Sequence, residues 1–200
     1  MAPSQEISIE HSHCQFGIVG LMALFAIAFC AGLNPFAAIG MLGVAVGAGL
    51  VIGAPPELEF ATQWPFLIPV LLLLGIDIVL DKLPATAAAW GKLTLGLRIA
   101  GGGLAGGMLG TETVGMVVAI VLGAFVALLA TALRELIVRR LGSRFYGLER
   151  FVVSASSDAI AVLTTVATVL AAMVGLALAI VVAVTGLYVL VRLAAQPKSG

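Results

Sequence analysis

Apolar stretches, each close to the length that crosses a lipid bilayer, follow one another through almost the whole chain. They cover residues 16 to 32, 36 to 54, 66 to 81, 94 to 110 and 114 to 133, and a longer one runs from Phe151 to Leu193. A membrane-spanning helix needs about 20 consecutive apolar residues. The pattern therefore predicts an all-α fold, a polytopic transmembrane helical bundle, with no room for a separate soluble domain.

Composition excludes an ordinary soluble domain. The chain is 62% hydrophobic and 10% charged, with a mean hydropathy of +1.20, whereas soluble domains are about half apolar and about a quarter charged. The lipid bilayer is the expected partner, and nucleic acid is not. The sequence has no glycine-rich phosphate loop, haem motif or dinucleotide fingerprint, so we predict no cofactor.

The last apolar stretch is too long for one crossing. Its 43 residues would form a helix of roughly 65 Å at about 1.5 Å per residue. We therefore predict that the chain folds back near Ala171 to Gly175, which gives seven spans.

The placement of charges supports this topology. With the N-terminus outside and the C-terminus inside, all ten Lys and Arg residues lie on the inner side, as expected for cytoplasmic loops. They are Lys82, Lys92, Arg98, Arg134, Arg139, Arg140, Arg144, Arg150, Arg192 and Lys198. A six-span alternative would move the last two outside. We predict an integral membrane protein of the bacterial plasma membrane.

The domain organisation follows from these spans. Residues 1–15 form a polar N-terminal tail, 16–193 a single transmembrane domain, and 194–200 a C-terminal tail. His11, His13 and Cys14 lie in the first tail, and we interpret them as tail residues rather than metal ligands. Cys30 is predicted to be a small buried hydrophobic residue.

Glycine residues four apart are concentrated in the second and fourth spans. The pairs are Gly43 and Gly47, Gly49 and Gly53, Gly102 and Gly106, Gly103 and Gly107, and Gly106 and Gly110. Small residues at this spacing allow membrane helices to approach closely. Packing within the chain is the favoured interpretation; a flexible gate around Gly101 to Gly103, or a homo-oligomer formed through these spans, is the alternative.

Three charged residues fall inside predicted spans. Asp77, Arg98 and Asp158 all lie roughly 6 to 12 Å from the inner face, counted at about 1.5 Å per residue. Intramembrane charges are costly and tend to face a partner or a water-filled cavity. Asp81 shares a helix face with Asp77, and Lys82 follows it. These residues form either a structural ion pair or a substrate or proton site.

The segment Ala31 to Gly40 interrupts the apolar pattern with Asn34 and Pro35. Asn tolerates turn geometry, and Pro is common at the first position of a helix. Asn34 can also cap that helix. A plain turn explains the break, and so does a polar site on the inner side; both interpretations stay open.

These motifs carry a family resemblance. Four motifs follow one another along the chain: GLNPF, D-x-x-x-D-K-L-P before a Trp, an Arg ahead of a Gly-rich span, and a late acid. In this order they resemble the bacterial membrane proteins of domain of unknown function family 4126, over roughly residues 20 to 190. The resemblance implies a compact polytopic helical bundle without an established activity. The matching polar positions are Asn34, Pro35, Asp77, Asp81, Lys82, Pro84, Arg98 and Asp158.

The chain departs from the family pattern in three places. It has ATAAAWG where the family has further acids, Ser157 where the family has a Glu, and Ile99-Ala100 where the family has prolines.

The sequence raises three classes of function. The first is a small transporter or permease, proton-coupled in one version, that binds a small molecule or ion at Asn34, Asp77, Asp81, Lys82, Arg98 and Asp158. The second is a non-catalytic scaffold or lipid-interacting protein that binds headgroups through Arg139, Arg140 and Arg144. Catalysis is not expected, because Asp77 lacks the Gly-x-Gly-Asp context of intramembrane aspartyl proteases and no His lies in a span.

Overall fold

A computed structural model of the protein describes residues 3–50, 58–81, 83, 86–141 and 148–195. This part of the chain contains eight α-helices, which confirms the all-α prediction. They are α1 (Pro3–Leu33), α2 (Pro35–Gly47), α3 (Glu59–Thr62), α4 (Trp64–Leu80), α5 (Ala87–Val114), α6 (Met116–Leu141), α7 (Leu148–Leu170) and α8 (Ala172–Ala195).

Each predicted apolar stretch contains a helix, and the long C-terminal stretch is divided between two helices, as expected. α7 ends at Leu170 and α8 begins at Ala172. Three segments of the described chain are long and apolar enough to cross a membrane, namely Met116–Arg140, Phe151–Leu170 and Ala172–Arg192. Shorter apolar helical segments run over Ile18–Leu33, Pro35–Gly47 and Trp64–Leu80. These helices indicate a membrane-embedded protein.

Several helix bounds differ from the apolar stretches. α2 ends at Gly47, short of the predicted residue 54, and Gly49 follows with a φ of +69° that a glycine adopts readily. α5 begins seven residues before the predicted position, because ATAAAWG contains good helix formers. α6 continues past residue 133 to Leu141. Arg134, predicted to lie in a loop, is therefore in a helix.

Neighbouring long helices run in alternate directions, which brings seven helix termini together. Thr131 Oγ1, late in α6, donates to the Gly32 carbonyl at the end of α1 at 2.8 Å. A Cβ on Gly186, late in α8, would lie 3.0 Å from Leu133. We call this the Asn34 end: it collects the ends of α1, α4, α6 and α8 and the starts of α2, α5 and α7.

α1 lies at the centre of the bundle and packs against α2, α5, α6, α7 and α8. From Leu24 to Ala38 almost every side chain is buried. Cys30 is buried here with a free thiol, as predicted. α4 is peripheral by contrast, since only Leu67 and Asp77 among its residues are buried. An acid on the buried face of such an apolar helix must find its partners inside the bundle.

Glycines allow α5 and α6 to pack at close range. A Cβ added to Gly102 would lie 2.6 Å from the Gly123 carbonyl oxygen, and one added to Gly106 would overlap the Ala119 carbonyl. Gly110 faces Ala119 in the same way. The packing thus supports the favoured interpretation of the α5 glycine pairs, which is close packing within the chain. Homo-oligomerisation through the glycine-rich helices stays a prediction.

Candidate functional site

Asn34 separates α1 from α2 and caps the second helix. Its backbone is extended, with φ −149° and ψ 105°, and Pro35 occupies the first helical position. The side-chain oxygen Oδ1 accepts a hydrogen bond from the Ala37 backbone N–H at 3.0 Å. This bond satisfies one of the free donors at the start of α2. The predicted turn is present.

The Asn34 amide also joins two acidic residues from distant helices. Its Nδ2 donates to Asp77 Oδ2 on α4 and to Asp158 Oδ1 on α7, each at 2.9 Å. The cap fixes this orientation, because only the amide oxygen can accept from Ala37. Both carboxyl oxygens lie at that distance from one nitrogen, so they are within about 6 Å of each other.

Asp77 receives a second donor from the start of α5. Trp90 Nε1 donates to Asp77 Oδ1 at 2.7 Å. Each oxygen of this 2%-exposed side chain therefore accepts from a neutral group. Neutral donors lower the cost of burying a carboxyl group without neutralising its charge.

Arg98 is buried close to these acids, at 1% exposure. Its charge interacts with those of Asp81, Asp77, Glu135 and Arg134. Within the described residues, however, its Nε and Nη1 atoms have no hydrogen-bond partner, and Nη1 lies 4.0 Å from Glu135 Oε1. The structure thus brings Asp77 and Asp158 together at Asn34. It leaves two donor atoms of Arg98, which interacts electrostatically with Asp77, unused within the described residues.

Asp81 belongs to a second polar cluster. It forms an ion pair with Arg134 Nη2 on α6 and accepts from Ser154 Oγ on α7 at 2.6 Å. Arg134 Nε donates to Ser157 Oγ at 3.2 Å, and Arg134 Nη1 lies 3.5 Å from Glu135 Oε1. Asp81, Arg134 and Ser154 are each at most 5% exposed. The cluster ties together α4, α6 and α7.

The two clusters form successive layers. Asp81 lies one helical turn after Asp77 on α4, and Ser154 lies one turn before Asp158 on α7. Because both turns lead toward the end of α4 and the start of α7, the Asp81 layer lies nearer to those two termini than the Asn34–Asp77–Asp158 layer does.

The other hydroxyl groups of α7 are used locally. Thr165 Oγ1 donates to the Ala161 carbonyl and Thr168 Oγ1 to the Thr164 carbonyl, each at 2.7 Å. Backbone bonding of this kind is common for Ser and Thr in membrane helices. Only the first turns of α7 contribute hydroxyls, Ser154 and Ser157, to the polar clusters among the described bonds.

The remaining predicted site residues lie outside the described part of the chain or at its surface. Lys82, Pro84 and Arg144 lie outside the described residues, as do the side chains of His11, His13 and Cys14. Arg139 and Arg140 are exposed in the last turn of α6. No group of three or more potential metal ligands occurs among the residues searched.

An apolar groove of about 640 Å³ lies between α5 and α6, with Phe60 from α3 at its edge. Gly103, Gly107 and Ile120 are among its lining residues. None of the acids of the two polar clusters lines it, so it is separate from the candidate site.

Comparison with known families identifies the chain. A model of the family described as domain of unknown function (DUF4126) matches residues 21–192. The chain belongs to this family. The match includes every residue of the two polar clusters in this DUF4126 member. No curated protein and no solved structure matches it.

Sequence reasoning did not foresee the contacts of Arg134 and Trp90 in this DUF4126 member. Arg134 was assigned to a loop, although the apolar residues Leu133, Leu136 and Ile137 continue the helical pattern around it. Trp90 was noted only as part of a motif. Its position in an Ala-rich segment gave a signal for a helix but none for its partner, since Asp77 lies 13 residues away across a turn.

Proposed function

We propose that this DUF4126 member is a small proton-coupled transporter or permease with seven spans, its N-terminus outside and its C-terminus inside. The candidate site is formed by Asn34, Asp77 and Asp158, with Arg98 beside them. The proposal depends above all on one observation: a single amide donates to carboxyl groups of two different helices in the interior of an apolar bundle.

Two carboxyl groups this close repel each other when both are charged, and a proton on one of them removes the repulsion. The Asn34 hydrogen bonds are compatible with either protonation state, because a protonated carboxyl group keeps an acceptor oxygen. A proton gained or lost here changes the force between α4 and α7. That change is the coupling that a carrier needs between ion binding and helix movement.

The position of the layers supports access from the Asn34 end. The polar layer of Asp81, Arg134 and Ser154 lies closer than Asp77 and Asp158 do to the end of α4 and the start of α7. Arg139, Arg140 and Arg192 occupy the final turns of α6 and α8 at the same end. Basic residues favour the cytoplasmic side, so the site would open inward.

The test uses purified protein in vesicles that contain a trapped pH-sensitive dye. Sugars, carboxylates, amino acids and inorganic ions are added in turn outside, and internal acidification is recorded. We expect at least one solute to drive acidification with the wild type, and Asp77→Asn and Asp158→Asn to reduce it to the level of protein-free vesicles.

Glu59→Gln is the matched control, because Glu59 is an exposed acid on α3. It should transport as the wild type does. Thermal unfolding in detergent checks that all variants are folded. If no solute acidifies the wild-type vesicles, the transporter proposal is wrong and the scaffold function takes its place. If both Asn variants are as stable as the wild type and move every solute equally well, Asp77 and Asp158 are not the transport site.

A further inference from the structure

Two donor atoms of the buried Arg98 guanidinium group have no hydrogen-bond acceptor among the described residues. The side chain is 1% exposed, yet Nε and Nη1 have no partner in the described part of the chain. The closest carboxyl contact, Glu135 Oε1, is 4.0 Å from Nη1, which is beyond hydrogen-bonding distance. A buried charged donor left unsatisfied is strongly unfavourable. An acceptor supplied by a ligand would satisfy these donors.

The charges around Arg98 restrict what that acceptor can belong to. The side chains that act on Arg98 electrostatically include the acids Asp81, Asp77 and Glu135 and the base Arg134. A simple anion would satisfy Arg98 but would be repelled by the acids. A simple cation would be attracted by the acids but would leave Arg98 unsatisfied. A ligand that fits both must offer an acceptor and a cationic donor.

The acid left for a ligand is Asp77. Arg134 is already paired with Asp81, so that carboxylate is neutralised within the protein. Asp77 and Asp158 receive the two bonds from the Asn34 amide, and Asp77 accepts a third neutral bond from Trp90. Since each carboxylate oxygen has two lone pairs, Asp77 can accept further donors.

We infer that Arg98 and Asp77 bind a small zwitterion, with its carboxylate on Arg98 and its ammonium group on Asp77. This inference rests on the proposed transporter function and names its substrate class. Both of its contacts are buried side chains, so we expect a ligand as small as an amino acid. A zwitterion adds no net charge to the site, which avoids the cost of burying an unpaired ion.

Trp90 provides a local reporter of binding. The chain has two tryptophans; Trp64 is 70% exposed, whereas Trp90 is bonded to Asp77. In a Trp64→Phe protein, emission therefore comes from Trp90 alone. The full-length variant is purified in detergent and titrated with glycine, and separately with acetate and with methylammonium, which each carry one of the two charges of glycine.

We expect glycine to change the Trp90 emission saturably and the two single-charge probes to act at least about tenfold more weakly. Arg98→Gln in the same background should raise the half-saturating glycine concentration by at least about tenfold. Arg98→Lys should give a smaller loss, because it keeps the charge but not the planar donor geometry. Arg192→Gln, which changes an exposed arginine on α8, should bind glycine as its parent does.

Three results would overturn the inference: no response to glycine, a response to acetate or methylammonium as strong as that to glycine, or glycine binding that is unchanged in Arg98→Gln. The absence of a response to glycine would mean that Arg98 does not bind a zwitterion. If Arg98→Gln does not fold, the inference is tested by the weaker glycine binding expected of Arg98→Lys and by the comparison of glycine with acetate and methylammonium. These results leave the transporter proposal standing as long as Asp77→Asn abolishes acidification with some other solute.

Discussion

Asn34 has two distinct roles that belong to different atoms of one side chain. The oxygen caps α2 through Ala37, and the nitrogen holds Asp77 and Asp158. Ser or Asp can replace the oxygen as a cap, but neither has the two amide hydrogens. The interruption of the apolar sequence is thereby explained: the chain turns there, and the turn residue holds the two acids together.

Substitution of Asn34 separates these roles. Asn34→Ser keeps a cap but leaves the two acids without their shared donor, and should lower the free energy of unfolding by about 1–3 kcal/mol. Asn34→Ala should cost about 1 kcal/mol more, owing to the lost cap. The measurement is denaturant unfolding in mixed micelles. Gln63→Ala is the control, since Gln63 precedes α4 without a side-chain cap bond; equal losses for Ser and Ala would contradict the capping role.

Arg134 and Asp81 should show strong energetic coupling. Removal of one partner leaves a buried charge unpaired, and we expect Arg134→Gln to destabilise the protein by about 3–5 kcal/mol. The double variant Asp81→Asn/Arg134→Gln should lose much less than the sum of the single variants in a double-mutant cycle. Glu135→Gln should change stability by at most about 1 kcal/mol, because Glu135 is 35% exposed. Additive single losses would mean that the pair contributes nothing specific.

At the scale of helices, close packing of α5 on α6 positions both arginines. Gly102 and Gly106 let α5 approach Gly123 and Ala119 on α6. Arg98 and Arg134 extend from these two helices into the same polar region. α4 contributes its acids to that region from the periphery, through Asp77 and Asp81. The small residues therefore matter to the site even though they carry no polar group.

The same substitution at two glycines of α5 should have opposite effects. Gly106→Ala places a methyl group against the Ala119 backbone and should destabilise the protein by about 1–3 kcal/mol. At Gly96 nothing lies within 4 Å of an added Cβ, so Gly96→Ala should stabilise by up to about 1 kcal/mol through helix propensity. Thermal unfolding in detergent compares the two. A loss of similar size at both positions would show that flexibility, not close packing, is what α5 requires.

At the scale of the whole molecule, the alternating helices place the described polar clusters toward one end. Both polar clusters lie toward the Asn34 end, together with the last turns of α6 and α8 and their arginines. The opposite end carries the short connection at Ala171 and the positive-φ residue Gly115, with a φ of +81°. A bundle of this design would present its polar site to one compartment only.

Cysteine labelling tests this topology. In a background with Cys14 and Cys30 replaced by Ser, single cysteines are introduced as Arg139→Cys, Ala195→Cys and Ala171→Cys. With seven spans, a membrane-impermeant thiol reagent should label the first two from the inside and the third from the outside. Labelling of Ala195→Cys from the outside would support six spans, and labelling of Arg139→Cys and Ala171→Cys from one side would contradict the alternation.

The sequence by itself determined the helices, the turn near residue 171 and the residues that had to be explained. Apolar runs, helix-breaking residues and charges inside spans are local properties, and each carries its free-energy cost wherever the chain folds. Asn34, Asp77, Arg98 and Asp158 were therefore identifiable before any contact was known. Helix bounds were less accurate, because a helix such as α6 continues past its apolar part when polar side chains find partners.

Only the tertiary structure decided which partners those are. Asp77 lies 43 residues from Asn34, and Asp158 lies 124 residues from it, so their shared amide depends on how α4 and α7 are placed and rotated against α1 and α2. The pairing of Asp81 with Arg134, rather than with Arg98, depends on the close packing of α5 and α6 in the same way. Such contacts arise from the packing of whole helices, and no short stretch of sequence encodes them.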